Sequence, residues 1–278
     1  MKLISQTDRD STDVGNHNAS PHVLSPRVVE NGNFHRQSSF STSPQRLLQG
    51  METIDSMLLL EHDSALQGVS QHAKVFALRF LCSEWMNAVA RKLACRQTVV
   101  LKALLCLDRY LATEPLQNRA GLEKRMRIAA AACFYISVKL HNPSSVSPWQ
   151  LSMLADSDIK AGDIEREELI VLSALAWQLH QPSADEYLHV LCALLPSECS
   201  DVPPSMIYDL TMTQIMTFAE KDNGQHANQF DLAAAALLNS LEVLGADTFE
   251  VQHIHGSMQT DTDATSLLSL RERLFYIL

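Results

Sequence analysis

The chain has 278 residues, of which 46% are hydrophobic and 6% aromatic, and its formal net charge is −10. Many leucines and alanines, with nine glycines and ten prolines, favour a helical protein over a β-sandwich. The acidic balance argues against a nucleic-acid partner, because phosphate neutralisation needs a basic surface. No apolar run reaches membrane-span length and the first residues lack the apolar centre of a secretory signal, so we expect a soluble intracellular protein without a membrane partner.

The first fifty residues differ in composition from the rest of the chain. Residues 1–50 are rich in Ser, Asn, Gln, Thr and Pro. We predict that they are disordered, because they cannot bury enough apolar surface to offset the entropy of ordering. Ser25 and Ser43 each precede a proline and are candidate phosphorylation sites, although an ordinary turn is the simpler interpretation. In residues 51–72, the stretch METIDSMLLLEHDSAL predicts an amphipathic lead-in helix.

From residue 73 onward the apolar positions recur with helical spacing and without strand-like alternation. The predicted helices cover 73–92, 96–113, 122–140, a short segment from Ser147-Pro148, 161–176, 205–221, 229–244 and 264–276. Ser147 before a proline is typical of a helix start, and Ser183 with Glu186 forms a capping box before YLHVLCALL. Residues 245–263 are polar without a clear period, so we predict mostly loop there.

Alanine-rich segments occur twice in the chain. RIAAAACFYIS begins at Arg127 and DLAAAALLNSL begins at Asp231. Both are apolar nearly all round, so each must be surrounded by other helices. The pattern favours two copies of one helical unit, each built around a central helix.

Cysteine and histidine positions do not indicate a metal site. The six cysteines show no CxxC spacing and most lie in apolar runs, which indicates inert core thiols. His253 and His255 have no carboxylate or cysteine beside them in the sequence, so we predict a loop or short helix end. Phosphate-loop, HExxH and nucleophile motifs are absent from the sequence. We therefore expect no enzymatic activity, no cofactor and no metal.

An aspartate interrupts the apolar run LLCLDRYLAT. Asp108 shares a helical stripe with Leu101 and Leu104, so it points toward a core. Arg79 lies on a partly apolar stripe of the preceding helix, whereas Arg109 is adjacent to Asp108 and cannot face it. We predict that Arg79 and Asp108 form a buried pair, because each alone would be an unpaired buried charge. The alternative is that both side chains reach out to the rim.

The segments LRFLCSEWMNAV, LDRYL, AAAACFYISVKL and EELIVLSALAWQL, in this order, resemble the cyclin box. The resemblance covers residues 73–180 and continues more weakly through 181–278 as a second, divergent cyclin fold. WMNAV and AWQL are most similar to D-type cyclins. The resemblance implies an all-α protein with two consecutive five-helix cyclin folds after a disordered N-terminal extension. The matching positions are Arg79, Trp85, Asp108, Arg109, Lys139, Glu168, Leu172, Leu175 and Leu179.

By this resemblance, the chain is a regulatory subunit that binds and activates a cyclin-dependent serine/threonine kinase in cell-cycle control, in the nucleus and cytoplasm. In cyclins the matching Arg–Asp pair braces the first two helices. Most cyclins have one or two glutamates after the lysine, where this chain has His141-Asn142. This departure leaves open a non-activating scaffold. A cyclin-fold transcription factor is disfavoured by the net charge and by the lack of a zinc ribbon. The residues expected to contact the kinase are Lys139, Leu140, Glu168, Leu172 and Leu179.

The resemblance also implies a docking patch that recruits Arg-x-Leu substrates or inhibitors. Family members with strong docking usually carry an acidic residue where Ala88 stands and a glutamine where Arg127 stands. We therefore predict weak or altered docking, since Arg127 would repel the peptide's arginine. Core packing is the alternative role for Leu78 and Cys82. The matching patch residues are Leu78, Cys82, Trp85, Met126 and Arg127.

Overall fold

The computed structural model describes residues 44–63, 73–113, 121–141, 146–155, 158–195, 202–221, 228–258 and 264–277. Within these ranges the regular elements are α-helices without any β-strand. None of these helices is long and apolar enough to cross a membrane. In chain order the helices are α1 (Pro44–Asp63), α2 (Ala73–Lys92), α3 (Gln97–Thr113), α4 (Leu122–His141), α5 (Pro148–Leu154), α6 (Ala161–Ala174), α7 (Ala184–Leu194), α8 (Pro204–Lys221), α9 (Gln229–Val243), α10 (Phe249–Met258) and α11 (Ala264–Ile277).

Two central helices organise the packing. The first, α4, contacts α2, α3, α5 and α6, and the second, α9, contacts α7, α8, α10 and α11. The alanine runs 129–132 and 233–236 lie on these central helices and are buried. Their small side chains let the surrounding helices approach closely. The prediction of an all-α protein with two consecutive five-helix units is therefore confirmed.

The capping signals read from the sequence occur at the expected helix starts. Ser147 Oγ accepts a hydrogen bond from the backbone N–H of Gln150 at 3.2 Å, and Pro148 occupies the first turn of α5. Glu186 Oε2 accepts the backbone N–H of Ser183 at 3.0 Å and closes the capping box of α7. These local contacts satisfy N–H groups that have no partner inside the helix.

The first helix begins earlier than the composition predicts. Residues 44–50, which were expected to be disordered, form the first turns of α1. Residues 1–43, including Ser25 and Ser43, and residues 64–72 lie outside the described part of the chain. Two features explain the helix: Ile54 is fully buried, and Gly50 lets the backbone approach α7 so closely that a Cβ would lie 2.5 Å from a methyl carbon of Leu194. Tertiary packing of α1 on α7 and α10 overrides its polar composition.

A helix also occupies part of the span predicted as loop. Residues 249–258 form α10, and Val251 and Ile254 are apolar positions that it buries. The prediction was wrong here because two apolar residues give too little periodicity to recognise. Packing against α9 supplies the missing stabilisation.

A buried ion pair joins α2 to α3. Arg79 Nε and Nη2 donate to the two carboxylate oxygens of Asp108, each at 2.6 Å, and both side chains are buried. The remaining terminal nitrogen of Arg79 donates to the backbone oxygen of Ala219 at 2.9 Å, in the last turn of α8. A cation is favoured at a helix C-terminus. Arg79 therefore links the first five-helix unit to the second.

We predict that Asp108→Ala lowers the free energy of unfolding by about 3–5 kcal/mol, because Arg79 loses the carboxylate that compensates its buried charge. Denaturant-induced unfolding measures the loss. The double variant Arg79→Leu with Asp108→Leu serves as the control and should lose less, since it removes both charges. A single variant that unfolds at the same denaturant concentration as the wild type would contradict the prediction.

A second buried polar cluster anchors α1. Glu61 accepts the hydroxyl of Tyr187 at 3.0 Å and the backbone N–H of Gln229 at 2.6 Å. Burial raises the pKa of Glu61 to about 7, and the nearby carboxylate of Asp231 adds to the rise. His255 is also buried, with its Nε2 2.9 Å from Asp231 Oδ1. The sequence places no carboxylate beside this histidine, but the fold supplies one from α9. In the described residues, histidine, cysteine and acidic side chains do not gather into a metal-binding group.

The raised pKa of Glu61 predicts a pH-dependent stability. The folded state retains a proton that the unfolded chain releases above the ordinary pKa of 4.5, so this group's contribution is complete below pH 4.5 and is lost as pH rises through about 7. The wild-type chain should therefore lose stability across this range relative to Glu61→Gln, which stays neutral. Thermal unfolding of both chains at several pH values measures the difference. Parallel pH profiles would show that Glu61 is not responsible.

Candidate functional site

Lys139 and Glu168 meet on the surface of the first five-helix unit. Lys139 ends α4 and Glu168 lies in α6, and Lys139 Nζ donates to Glu168 Oε1 at 2.5 Å. Lys139 Nζ also lies 4.8 Å from the centre of the Tyr135 ring. About half of the lysine side chain remains exposed, whereas the glutamate is mostly covered. The pair therefore presents a positioned cation to a partner and keeps its counter-charge beside it.

Large apolar side chains are exposed on the same two helices and on the turn after α6. Leu140 follows Lys139, and Leu169 and Ile170 follow Glu168. Trp177 is 65% exposed. We call Lys139, Leu140, Glu168, Leu169, Ile170 and Trp177 the α4–α6 surface. Exposed large apolar side chains on helices that also carry a positioned ion pair are typical of a protein-interaction site.

Two leucines predicted to contact a partner lie deeper than the α4–α6 surface. Leu172 is 6% exposed and belongs to the core, so it does not offer its side chain to a partner. Leu179 is half-buried and packs against the core. The helical spacing of LIVLSAL marks an apolar face, but that face points inward at Leu172 and outward at Leu169 and Ile170. The sequence therefore predicted the helix that carries the surface and misplaced one residue of it.

Trp177 has an unusual backbone conformation. Ala176 and Trp177 have φ angles of 48° and 62°, in the left-handed region that residues with a Cβ rarely adopt. The backbone N–H of Trp177 donates to Leu172 O at 2.9 Å, which terminates α6. This strained turn directs a large aromatic side chain into solvent. Strain of this kind accumulates at binding sites, where the surrounding structure maintains it.

Two exposed residues of α5 are not predicted from the sequence. Trp149 and Met153 are 64% and 66% exposed and lie one helical turn apart. Helix α5 packs against both α4 and α6. Four-residue spacing of large apolar residues in a short helix was the available signal, but it equally predicts a buried face.

A small cavity lies beside the α4–α6 surface. Its volume is about 30 Å³, and α3, the end of α4 and the segment after α6 form its walls. His141, the residue that departs from the cyclin pattern, is half-buried here; burial, followed by the charge of Lys102, lowers its pKa. Asn142 lies outside the described residues. The polar residues that line this cavity include Lys102, Arg109, His141, His180 and Gln181.

A separate groove of about 220 Å³ contains most of the predicted docking patch. Leu78, Cys82 and Trp85 of α2 line it, together with Arg127 of α4. Trp85 Nε1 donates to the backbone oxygen of Leu154 at 3.1 Å, which fixes the ring. Met126 is fully buried beneath the groove, so this predicted patch residue serves the core.

The charges around the groove are more balanced than the sequence suggested. One terminal nitrogen of Arg127 lies 3.5 Å from Asp158 and 3.9 Å from Glu123. Glu123 also lines the groove and is largely exposed. The expectation that Arg127 simply repels a basic peptide is therefore incomplete, because two carboxylates lie beside it. Asp158 precedes α6, so its approach to Arg127 depends on folding.

Comparisons with known proteins find similar sequences and similar folds. Residues 51–180 match the family model described as cyclin, N-terminal domain. The chain is 24% identical to G1/S-specific cyclin-D1 of Danio rerio over 119 residues, which are 43% of this chain and 39% of that protein. It is 24% identical to G1/S-specific cyclin-D2 of Rattus norvegicus over 153 residues, which are 55% of this chain and 51% of that protein. The matched region thus spans between about two fifths and one half of these relatives.

Solved structures share the fold across most of the chain. A viral cyclin from herpesvirus saimiri superposes with a TM-score of 0.62 at 18% identity and covers 84% of this chain and 98% of its own. A chain of the CAK complex from Chaetomium thermophilum bound to ATP-gamma-S has a TM-score of 0.54 at 16% identity, covering 87% of this chain and 78% of its own. At these identities the likeness establishes the fold alone.

Two five-helix units around alanine-rich central helices, with the braced α2–α3 pair, define a cyclin fold. Residues 51–180 match the N-terminal domain of the cyclins, and the chain resembles the D-type cyclins.

Proposed function

We propose that the chain is a non-enzymatic regulatory subunit that binds a cyclin-dependent protein kinase through the α4–α6 surface and activates it in cell-cycle control. Cyclins act by pushing the kinase C-helix inward and completing its active site. The observation that carries the proposal is the Lys139–Glu168 pair on two helices that also expose large apolar side chains. Residence in both nucleus and cytoplasm is part of the proposal.

The chemistry of this surface suits a kinase helix and its flanking backbone. Lys139 donates three hydrogen bonds at most, and its pairing with Glu168 uses one, so donors remain for backbone carbonyls. Glu168 can accept backbone N–H groups in return. Leu169, Ile170 and Trp177 supply apolar area that a partner would remove from water. The partner surface therefore needs apolar side chains next to exposed backbone groups.

Docking of Arg-x-Leu substrates or inhibitors at the groove is proposed as a weaker, secondary activity. The apolar floor offers space for aliphatic side chains. The peptide's arginine would meet Glu123, but it would compete with Arg127 for that carboxylate. This competition is the reason to expect reduced affinity.

We predict that Lys139→Ala combined with Glu168→Ala abolishes capture of a cyclin-dependent kinase while the chain stays folded. Lys139 is about half exposed and Glu168 is mostly covered, and removing them together leaves neither charge without its partner. Affinity purification from cells, followed by mass spectrometry, measures kinase recovery, and circular dichroism checks folding.

The matched control is Glu242→Ala combined with Arg271→Ala, which removes another interhelix ion pair, between α9 and α11. It should leave kinase recovery unchanged. Equal recovery with the wild-type chain and the Lys139 and Glu168 double variant would refute the assignment of this surface.

Replacing Trp177 separates binding from stability. In Trp177→Gly, glycine adopts the positive φ without strain and little buried area is lost, so stability should stay equal or rise. Kinase affinity should fall by at least about tenfold if the exposed ring is a binding anchor. Calorimetric titration with the captured kinase and thermal unfolding give the two readouts. Unchanged affinity would exclude Trp177 from the interface.

A non-activating scaffold is the second candidate, favoured by the half-buried His141 at the position where most cyclins carry an acidic residue. Such a protein would bind the kinase without raising its activity. Histone-type substrate phosphorylation by the purified complex, compared with the kinase alone, distinguishes the two functions.

A further inference from the structure

Arg109 is a buried cation that contacts no acidic side chain in the described part of the chain. Its side chain is almost covered, with the residue 7% exposed, and it lines the cavity beside the α4–α6 surface. One terminal nitrogen donates to the backbone oxygen of Gln178 at 2.6 Å, which is a neutral acceptor. Among the residues that the structure describes, Arg109 forms no ion pair with a carboxylate, and burial lowers its pKa. A buried charge without a counter-charge lowers the stability of the folded chain. Binding of an acidic ligand to Arg109 would offset this cost.

The other cation of the cavity is already neutralised. Lys102 Nζ lies 2.8 Å from Glu186 Oε1 and donates to Ser183 Oγ at 2.9 Å. Lys102 and Arg109 lie two turns apart on α3, yet the fold provides a carboxylate for the lysine and none for the arginine. The positive charge that remains uncompensated in the cavity wall is therefore that of Arg109.

A neutral amide completes the wall. Gln181 lines the cavity, and its Oε1 is buried without a hydrogen-bond partner. A half-turn of the terminal torsion replaces this oxygen by the Nε2 donor. The guanidinium of Arg109 and the amide of Gln181 can then both donate to one anion.

The volume of the cavity indicates which kind of anion fits. A volume of about 30 Å³ holds about two water-sized groups, which suits the two oxygens of a carboxylate and is small for the four oxygens of a phosphate. A planar guanidinium binds a carboxylate through two parallel hydrogen bonds.

The location of the cavity indicates which molecule supplies the anion. Leu140 and Leu179 line the cavity, and Leu140 also belongs to the α4–α6 surface. We propose that the cavity receives the carboxylate of an aspartate or glutamate side chain of the bound kinase, with Arg109 as the group that binds it. This inference rests on the proposed function, because it requires a kinase on the α4–α6 surface.

The test uses the full chain and the kinase that the wild-type chain captures, purified separately. Calorimetric titration compares the wild type with Arg109→Gln, Arg109→Lys and the exposed control Arg96→Gln. We expect the Kd to rise at least about tenfold for Arg109→Gln, because the kinase carboxylate is left buried and unpaired. Arg109→Lys keeps the charge but loses the paired donors, so it should be intermediate, and Arg96→Gln should match the wild type.

Acetate provides a second readout without the kinase. In the wild type, sodium acetate should shift the imidazole NMR signals of His141, which lines the same cavity, and sodium chloride at equal ionic strength should not. The shift should disappear in Arg109→Gln. This arm also keeps the test valid if one variant folds poorly, since Arg109→Lys and the wild type remain comparable.

The outcomes separate this inference from the proposed function. Equal Kd values for Arg109→Gln and the wild type overturn the inference and leave kinase binding intact. An acetate shift that depends on Arg109, with unchanged kinase affinity, would make the cavity a site for a free anion and overturn the kinase as the source. A wild-type chain that captures no kinase overturns both.

Discussion

The pairing of Arg79 with Asp108 is the interaction on which the arrangement of both five-helix units depends. Removing either charge of a buried pair is costly to stability, and here the geometry is bidentate with both distances at 2.6 Å. The third nitrogen of Arg79 reaches Ala219 at the end of α8, so the same side chain fixes the second unit against the first. The Arg79–Asp108 pair holds α3 in place. Helix α4 packs against α3 and carries Lys139.

Much of this organisation could be predicted from helical phase, because phase reports which residues share a stripe. Arg79 and Asp108 fall on inward stripes, and the alanine runs mark helices with neighbours on every side. Phase does not report how deep a stripe lies, which is why Leu172 was expected on the surface and lies in the core. Composition also failed for residues 44–50 of α1 and for α10, which pack against distant segments.

The charge partners in the candidate site could not be predicted from the local sequence either. Lys102 and Arg109 are both cations on α3, and nothing in the local sequence distinguishes them. Their difference arises because Glu186, far along the chain, reaches Lys102 and leaves Arg109 with a backbone carbonyl. Arg127 likewise acquires Asp158 only through folding. Electrostatic character is a property of the assembled surface, and residue lists alone predict it poorly.

The attachment of α1 has a consequence for how the protein is made. Glu61 bonds to Tyr187 and to Gln229, which are 126 and 168 residues further along the chain. On a ribosome, α1 emerges before α7 and α9, which carry the groups that bind it. Closing so long a loop is slow relative to local helix formation. Helix α1 therefore cannot dock until both α7 and α9 have been synthesised.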